Sequence, residues 1–555
     1  MPSGPRSSSG HVLHRRQVLA AAAGGVAALT LPMAPTARAL AATLSRGFTH
    51  GVASGEPGPT SMLLWTRFVG PGEESSLTVE VAEDAGFGRI RTRGHATAST
   101  VTGHCAKASV AGLDPATWYF YRFRAPDGTI SPVGRTRTLP ADGLDPFAMA
   151  VFSCSNMPFG FFNAYAHAAR RDDIHLAVHL GDYLYEYPRG TYPAAEQAIA
   201  GREVDPATEI VTMDDYHRRY ALYRSDPDLQ RLHQMLPMIS IWDDHEFTND
   251  AWTGGAENHQ PDTEGDWEAR KATAMAAYRH WMPMSDAAYA AYEIGDLATL
   301  FRLDTRISGR DEQLDVARIA REAGSFEAGL KRLAERDWRD PARTLLGQPQ
   351  EDWLRSGLGG SVADGKRWQV LAQQVVMGSA LTPLETSEWI DPAAPDLVKQ
   401  RVQGALGMAK VGIPSNLDAW GGYPAARSRL LQDALAADAN LVVLAGDSHN
   451  SWAFDLAEDG AAAGVEFGVS SVTSPGFESF FTRTDPAIVA RAIETSSPEL
   501  QWMDASRRGY GVVRLDADTA RCDYTYIDTI RERRAEASVG NSVSVAHGAR
   551  TLNSI

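Results

Sequence analysis

Four short apolar runs, each ending in side chains able to hold a metal ion, constrain the fold of this chain most strongly. "PFAMAVFSCSN" ends at Cys154, and "DIHLAVHLGDYLYEY" ends at Asp182 and Tyr185. "PMISIWDDHEFTNDAW" ends at Asp243, Asp244, His245 and Asn249, and "ANLVVLAGDSHNSWAFDL" at Asp447, His449 and Asn450. A short apolar run bounded by turn residues reads as a strand buried on both faces. Open α/β sheets hold their ligands beyond the carboxyl ends of such strands. The stretches between them, "FFNAYAHAARR" and "MDDYHRRYALYRSDPDLQRLHQML", have helical spacing. The expected arrangement is an α/β layer structure whose strand ends gather one polar cluster.

Composition narrows the function. With 555 residues, 44% of them hydrophobic, the chain can bury a large core and is long enough for two to three domains. Its 53 basic and 69 acidic residues leave a formal charge of −16, so no basic surplus serves nucleic-acid phosphates. An anionic membrane repels it on average, and no amphipathic basic helix stands out, so membrane contact is expected to be transient at most. Three cysteines, Cys105, Cys154 and Cys522, are too few for a disulfide framework, and their odd number leaves at least one free.

The ends of the chain carry separate signals. Residues 1–41 contain Arg15 and Arg16, an apolar run from about Val18 to Leu31, and the small-residue pattern Ala37-Arg38-Ala39. That order reads as a twin-arginine signal peptide, so the protein is expected to be secreted with the twin-arginine export machinery as its partner. Its removal deletes four arginines and no acid, carrying the charge from −16 to −20. Residues 48–140 run through short alternating segments such as "SLTVEVAE" and "TWYFYRFRA", the pattern of a small β-sandwich. Within it "GLDPATWYFYR" looks like a fibronectin type III corner. Residues 141–530 carry the α/β pattern, and residues 531–555 are left as a tail or lid.

The residue types at the four strand ends point to paired cations. Hard carboxylates with histidines close by suit two or more ions sharing bridging oxygens. Two such ions about 4 Å apart polarise a phosphoryl oxygen and stabilise both attacking and leaving oxygens. Hydrolysis of phosphate esters is the reaction class that fits. Asp-x-x-Tyr places Asp182 as a bridging ligand and Tyr185 on one hard ion, for which Fe³⁺ suits a phenolate. No Gly-x-Ser-x-Gly elbow, phosphate-cradling loop or His-Glu-x-x-His motif occurs. The expected chemistry is in-line attack by a metal-bound hydroxide, without a phospho-enzyme.

At this point the chain resembles the calcineurin-like metallophosphoesterases, and within them the alkaline phosphatase D family, which includes secreted iron- and calcium-dependent phospholipase D enzymes. "FSCSN", "HLGDYLYEY", "WDDHEFTND", "RLDTRISGR", "LGQPQEDWL", "WQVLAQQV" and "LAGDSHNSW" occur in that family's order. The resemblance implies an α/β metallophosphoesterase sandwich, with mixed sheets flanked by helices, preceded by a small all-β fibronectin-III-like domain. It implies Fe³⁺ beside Cys154, Asp182 and Tyr185, and Ca²⁺ held by Asp182, Asp244 and Asp447; the ion that His449 touches is left open. The superfamily's usual Asp-x-His is replaced by Ser153-Cys154-Ser155, and its Gly-Asn-His-Glu by Asp243-Asp244-His245-Glu246. More carboxylates favour a hard, oxygen-loving second ion.

Individual roles follow. His245, either a ligand or a packed core histidine by its pattern, is assigned by likeness to related sites to leaving-group protonation, with Asp182 as the other catalytic residue. Side chains alternate along a strand, so Asp243 and Asp244 do not both face one ion, and Asp243 is expected behind Asp244. Arg218 and Arg306 are candidates for a phosphate clamp, with ion pairs to local acids as the competing role. Asn249 and Asn450 are supporting candidates, with surface or capping roles as alternatives. Trp267, Tyr278 and Trp281 read as helix core, and "EQLDVARIAREAGSFEAGLKRLAERDW" as a solvated helix pair. The substrate is expected to be a phospholipid, a wall polymer or a small monoester. Diester cleavage of phospholipase D type, releasing a head group such as choline, is the leading expectation. Phosphate scavenging is the alternative, and a non-catalytic wall-binding protein the alternative of another class.

Overall fold

A computed structural model describes residues 46–394 and 396–554, so the signal peptide expected over residues 1–41 lies outside the described residues. The first three apolar runs are adjacent parallel strands, Phe147–Phe152, Leu176–His179 and Met238–Ser240. Phe152 aligns with His179, and His179 with Ser240. Cys154, Asp182 and Asp243 therefore leave the sheet at one level, two to three residues beyond a common register line. Every residue of these three strands is buried, which is why they read as unbroken apolar runs rather than alternating ones.

The fourth run supplies strand Leu441–Ala445, which belongs to a second sheet of seven strands. Its inner part is parallel, from Ala298–Arg302 through Trp368–Ala372 and Leu441–Ala445 to Ala461–Gly468. The two sheets face each other across a shared core in which Met149, Val151 and Val178 meet Leu300, Val370 and Val442. Helices cover the outer faces. Met213–Arg224, Pro227–Met235 and Trp267–Trp281 pack on the first sheet, and Gln348–Ala363 and Pro424–Ala436 on the second. The helical stretch starting at Met213 breaks at Asp226-Pro227, where the Asp226 carboxylate caps the second helix through the N–H groups of Asp228 and Leu229. Trp267, Tyr278 and Trp281 are buried in the first outer core.

The first sheet has ten strands. On one side of Phe147–Phe152 it continues antiparallel through Gly509–Leu515, Thr519–Ile527 and Ala537–Ala546. Residues 537–546 are thus a paired strand, not a free tail or lid. Its residues Ser542, Val543, Ser544 and Val545 are all buried while Val539 is exposed, and it pairs with the preceding strand Thr519–Ile527 and, at its edge, with Asn553–Ser554.

On the other side the sheet reaches the N-terminal region. Seven strands lie between Gly47 and Arg137, in two layers over a core that includes Met62, Leu64, Val79 and Tyr121. One layer, Gly47–Gly55, Ser61–Val69 and Cys105–Ala111, joins the catalytic sheet through parallel pairing of Gly55 with Met238. Asp114 donates its backbone N–H to the Tyr119 hydroxyl (2.9 Å), bracing the turn expected from "GLDPATWYFYR". Trp65 donates its indole N–H to the His280 carbonyl (2.8 Å), and Arg224 lies over the Trp65 ring at 4.0 Å. These contacts bind the sandwich to the catalytic helices.

Candidate metal centre

The strand ends converge on one buried cluster. Ligand atoms lie within 4.8 Å of one another in three groups: Cys154, Asp182 and His449; Asp182, Asp244 and His245; and Asp243, Asp244 and Asp447. Asp182 belongs to two groups and Asp244 to two, which is the arrangement expected of shared ligands. Cys154, Asp182, Asp447 and His449 all have positive φ, between 53° and 63°. Non-glycine residues adopt that region at a cost of about 1–3 kcal/mol each, and it persists where surrounding structure enforces it, typically at functional sites. Two glycines permit the convergence. Gly181, at φ 104°, would drive a Cβ into Asp243, and Gly446 would drive one into the Ser153 hydroxyl.

The donor set fits cations. Asp182 Oδ1 and Asp243 Oδ2 are buried without a hydrogen-bond partner, a costly state for a carboxylate that an ion would relieve. Asp182 Oδ2 accepts from the Tyr185 hydroxyl (2.9 Å), which also lies 2.7 Å from Ser474 Oγ and 3.3 Å from His449 Nε2. His449 donates from Nδ1 to the Pro475 carbonyl (2.8 Å), fixing the tautomer whose Nε2 lone pair faces the cluster, as metal-binding histidines do. Burial lowers its pKa to about 3, so the ring is a neutral donor. Burial pushes the Cys154 thiol well up, with help from Asp182 and Asp447, so this sulfur needs a cation to become a thiolate.

The carboxylates differ sharply in their titration. Burial raises Asp182 well above the carboxylate range, against the pull of His245 and with the push of Asp244 and Asp243. Burial also lifts Asp447 to about 7. Burial works the same way on Asp244, but His245, Arg306 and the Asp250 N–H outweigh it and hold this carboxyl well below its usual range. Burial opposes a charge on His245, yet Asp244, Asp182 and Glu186 overcome it and raise this imidazole well above its ordinary value.

The structure brings Cys154, Asp182, Tyr185, Asp244, His245, Asp447 and His449 together and ties the expected substrate-binding residues to protein partners, Arg306 within the cluster itself. Arg218 pairs with Asp205 (2.5 Å) at a partly exposed position. Arg306 is fully buried and bound to Asp243, to both oxygens of Asp418 (2.8 and 2.7 Å) and to Asp447 (3.3 Å). Both guanidiniums are taken by acids, the competing role. Asp243, held by Arg306, offers an oxygen to the same group as Asp244 and Asp447, so the two adjacent acids do face one position, contrary to the expectation from strand alternation, because the strand ends at Ser240 and both lie beyond it. Asn249 is spent on the Tyr187 hydroxyl and Glu257. Asn450 braces a turn through the Ser448 carbonyl and the Phe477 N–H.

Several supporting residues were not legible as such. Glu186 accepts from His245 Nδ1 (2.7 Å) and so orients the ring. Glu246 accepts the N–H groups of Asp182, Tyr183 and Asp243 and locks two strand ends together. Ser153 Oγ contacts Cys154 Sγ (2.8 Å) and accepts the Asp447 N–H (3.1 Å), tying the two sheets at the site. Arg219, adjacent to the candidate Arg218, donates to the carbonyls of Tyr185, Tyr187 and Pro206. Only the proximity of Glu186 to Tyr185 and of Ser153 to Cys154 in the sequence hinted at these roles.

Comparison with known proteins agrees with this geometry. Residues 149–524 match the family model described as PhoD-like phosphatase, and residues 34–140 match PhoD-like phosphatase, N-terminal domain. The chain is 32% identical over 519 residues to alkaline phosphatase D of Bacillus subtilis (strain 168), covering 88% of this chain and 79% of that protein. A solved structure of PhoD superposes with a TM-score of 0.75 at 30% identity, over 92% of each chain. The purple acid phosphatase PPD1 of yellow lupin (Lupinus luteus) shares the fold at a TM-score of 0.52 and 11% identity, over 90% of this chain and 74% of that one. A metallophosphoesterase sheet sandwich, a strand-end cluster fit for metal ions and a family match across both regions lead to one conclusion: the chain belongs to the PhoD-like phosphatases and is a phosphoester hydrolase.

Proposed function

We propose that this phosphoesterase is an exported phosphodiesterase of phospholipase D type, which releases a head group such as choline and takes phosphomonoesters as poorer substrates. The observation that carries the diester reading is that the arginines around the centre are already committed to the protein. Arg306 and Arg310 are bound to Asp418, Arg219 to backbone carbonyls, and Arg508 to Glu478 and to the carbonyls of His449 and Ser474. A monoester carries up to two negative charges on its terminal phosphate and gains most from an uncommitted guanidinium. A diester carries one charge and needs less.

The ion assignment within this reading is Fe³⁺ for Cys154, Asp182, Tyr185 and His449, and Ca²⁺ for Asp182, Asp244 and Asp447. Thiolate, phenolate and imidazole together suit the first, and an all-oxygen set the second. When bound, such cations polarise the phosphoryl oxygen and acidify water. The chain's own groups do the rest. His245, braced on Nδ1 by Glu186 and packed at a tilt against the Tyr185 ring, 4.2 Å between ring centroids, is the proton donor for the leaving oxygen. Export by the twin-arginine pathway belongs to the same reading and rests on residues 1–41.

The reading is tested by the ratio of kcat/KM for a choline phospholipid to that for an aryl phosphomonoester, on one iron- and calcium-loaded preparation at alkaline pH. A ratio well above one with free choline as product is expected; a ratio well below one makes the protein a phosphate-scavenging phosphatase. For the iron, the loaded enzyme is expected to absorb in the visible range through charge transfer from Tyr185, and Tyr185→Phe to lose or shift that band. A colourless, fully active protein containing no iron overturns this assignment.

A further inference from the structure

Beside the metal centre lies a second, chemically different space. A cavity of about 1120 Å³ is walled by Val376, Leu381, Trp389, Met408, Phe477 and Phe481, among others. It exceeds the roughly 300–1,000 Å³ usual for a small-molecule cleft. It adjoins the centre. Its wall includes Ser448, which stands between Asp447 and His449, and Asn416, whose side chain accepts the N–H of Asp418, the partner of Arg306.

The surface around the cavity is apolar as well. Among the described residues, ten large hydrophobic side chains are well exposed, and six of them, Phe326, Leu384, Val398, Val411, Phe480 and Ile488, sit on the segments that build this cavity. Phe480 is 71% and Leu384 62% exposed. Such clustering marks an interaction surface, whereas single exposed apolar residues are ordinary. Charge does not single this rim out: Arg318, Arg321 and Arg332 pair with Glu312, Asp315 and Glu322, and Glu385, Glu388 and Asp391 follow Leu384. Helix Val316–Ala323 turns Ile319 inward and exposes Arg318 and Arg321, in the segment expected to be a solvated helix pair.

We propose that this cavity holds the acyl chains of a phospholipid substrate, and that its apolar rim rests on the phosphatidylcholine surface from which that substrate is drawn. The proposal rests on the phosphodiester reading and adds to it the subsite and the surface. The wall is apolar where a chain would lie, and the phosphate end of such a lipid would reach the strand-end cluster beside Ser448.

The test uses the full-length, metal-loaded enzyme and two variants remote from the metal ligands. Ala405→Trp fills the cavity, and Leu384→Asp with Phe480→Asp removes the two most exposed apolar side chains of the rim. Binding is read by co-sedimentation with vesicles of phosphatidylcholine, and by fluorescence of a pyrene-labelled long-chain fatty acid. Turnover is read on the same lipid and on water-soluble bis(p-nitrophenyl) phosphate. Ala405→Trp is expected to lose fatty-acid binding and to lower lipid kcat/KM by about tenfold or more, with soluble-diester turnover intact as the check on folding. The rim variant is expected to lose vesicle binding. If neither variant alters fatty-acid or vesicle binding, the proposal fails, whatever the turnover. If wild type binds lipid through these residues but cleaves neither diester, the phosphodiester reading fails and the cavity assignment stands.

Discussion

Asp182→Asn is expected to lower phosphoester turnover by about a thousandfold, the scale of losing one preorganised charged contact to a reacting centre. Asp182 is the carboxylate common to the Cys154–His449 group and the Asp244–His245 group, so one neutral replacement weakens both cation positions. A stability measurement separates this from simple misfolding. Without metal, Asp182 is a buried carboxyl whose pKa burial has raised far above its unfolded value, with Asp244 and Asp243 adding to the push. The unfolded chain releases this proton near pH 4 while the folded chain retains it, so stability is lost as pH rises above about 4. Asparagine has no such proton. In chelator at pH 8 the variant should therefore melt above wild type, the advantage should vanish below about pH 4, and in metal-loaded buffer the order should reverse. A variant that melts lower in both buffers would show that the carboxylate serves packing and not cations.

Arg306→Gln should cost about 3–5 kcal/mol of stability, as removal of one partner from a buried ion-pair network does. Its guanidinium is completely buried and is shared by Asp243, Asp418 and Asp447, with Asp244 at 4.0 Å. The deficit has a pH signature. Asp447 already titrates at about 7 because burial outweighs the pull of Arg306, so its ionisation costs stability between its unfolded value near 4 and about pH 7. Without Arg306 the folded pKa rises further and the costly window extends to higher pH. Thermal unfolding in chelator should show a gap to wild type that widens from pH 6 to pH 9. Indistinguishable melting curves across that range would assign Arg306 a minor part.

Much of this was readable because the relevant signals are local. A strand buried on both faces must be an unbroken apolar run, and a polar side chain displayed at its end must follow within a few residues, so Cys154, Asp182, Asp244 and Asp447 stood out as candidates. The tyrosine turn at Tyr119 has an equally local cause, and so has the helix break at Asp226-Pro227, which reading that stretch as one helical segment passed over. The partners of the arginines were not readable. Arg218 and Arg306 look alike in sequence, but one meets Asp205, thirteen residues away, at a partly exposed site, and the other meets Asp418, more than a hundred residues away, inside the core.

The sequence by itself determined the export-type leader pattern, the order of strands and the chemistry at their ends, because period and strand-end position are properties of neighbouring residues. Only the tertiary structure decided that Glu186 aims His245, that the segment after Ala537 extends the sheet, and that segments far apart in the chain enclose an apolar cavity beside the strand-end cluster. Each of these depends on which surfaces meet once two sheets pack face to face, and contact between distant segments leaves no periodic trace in either one.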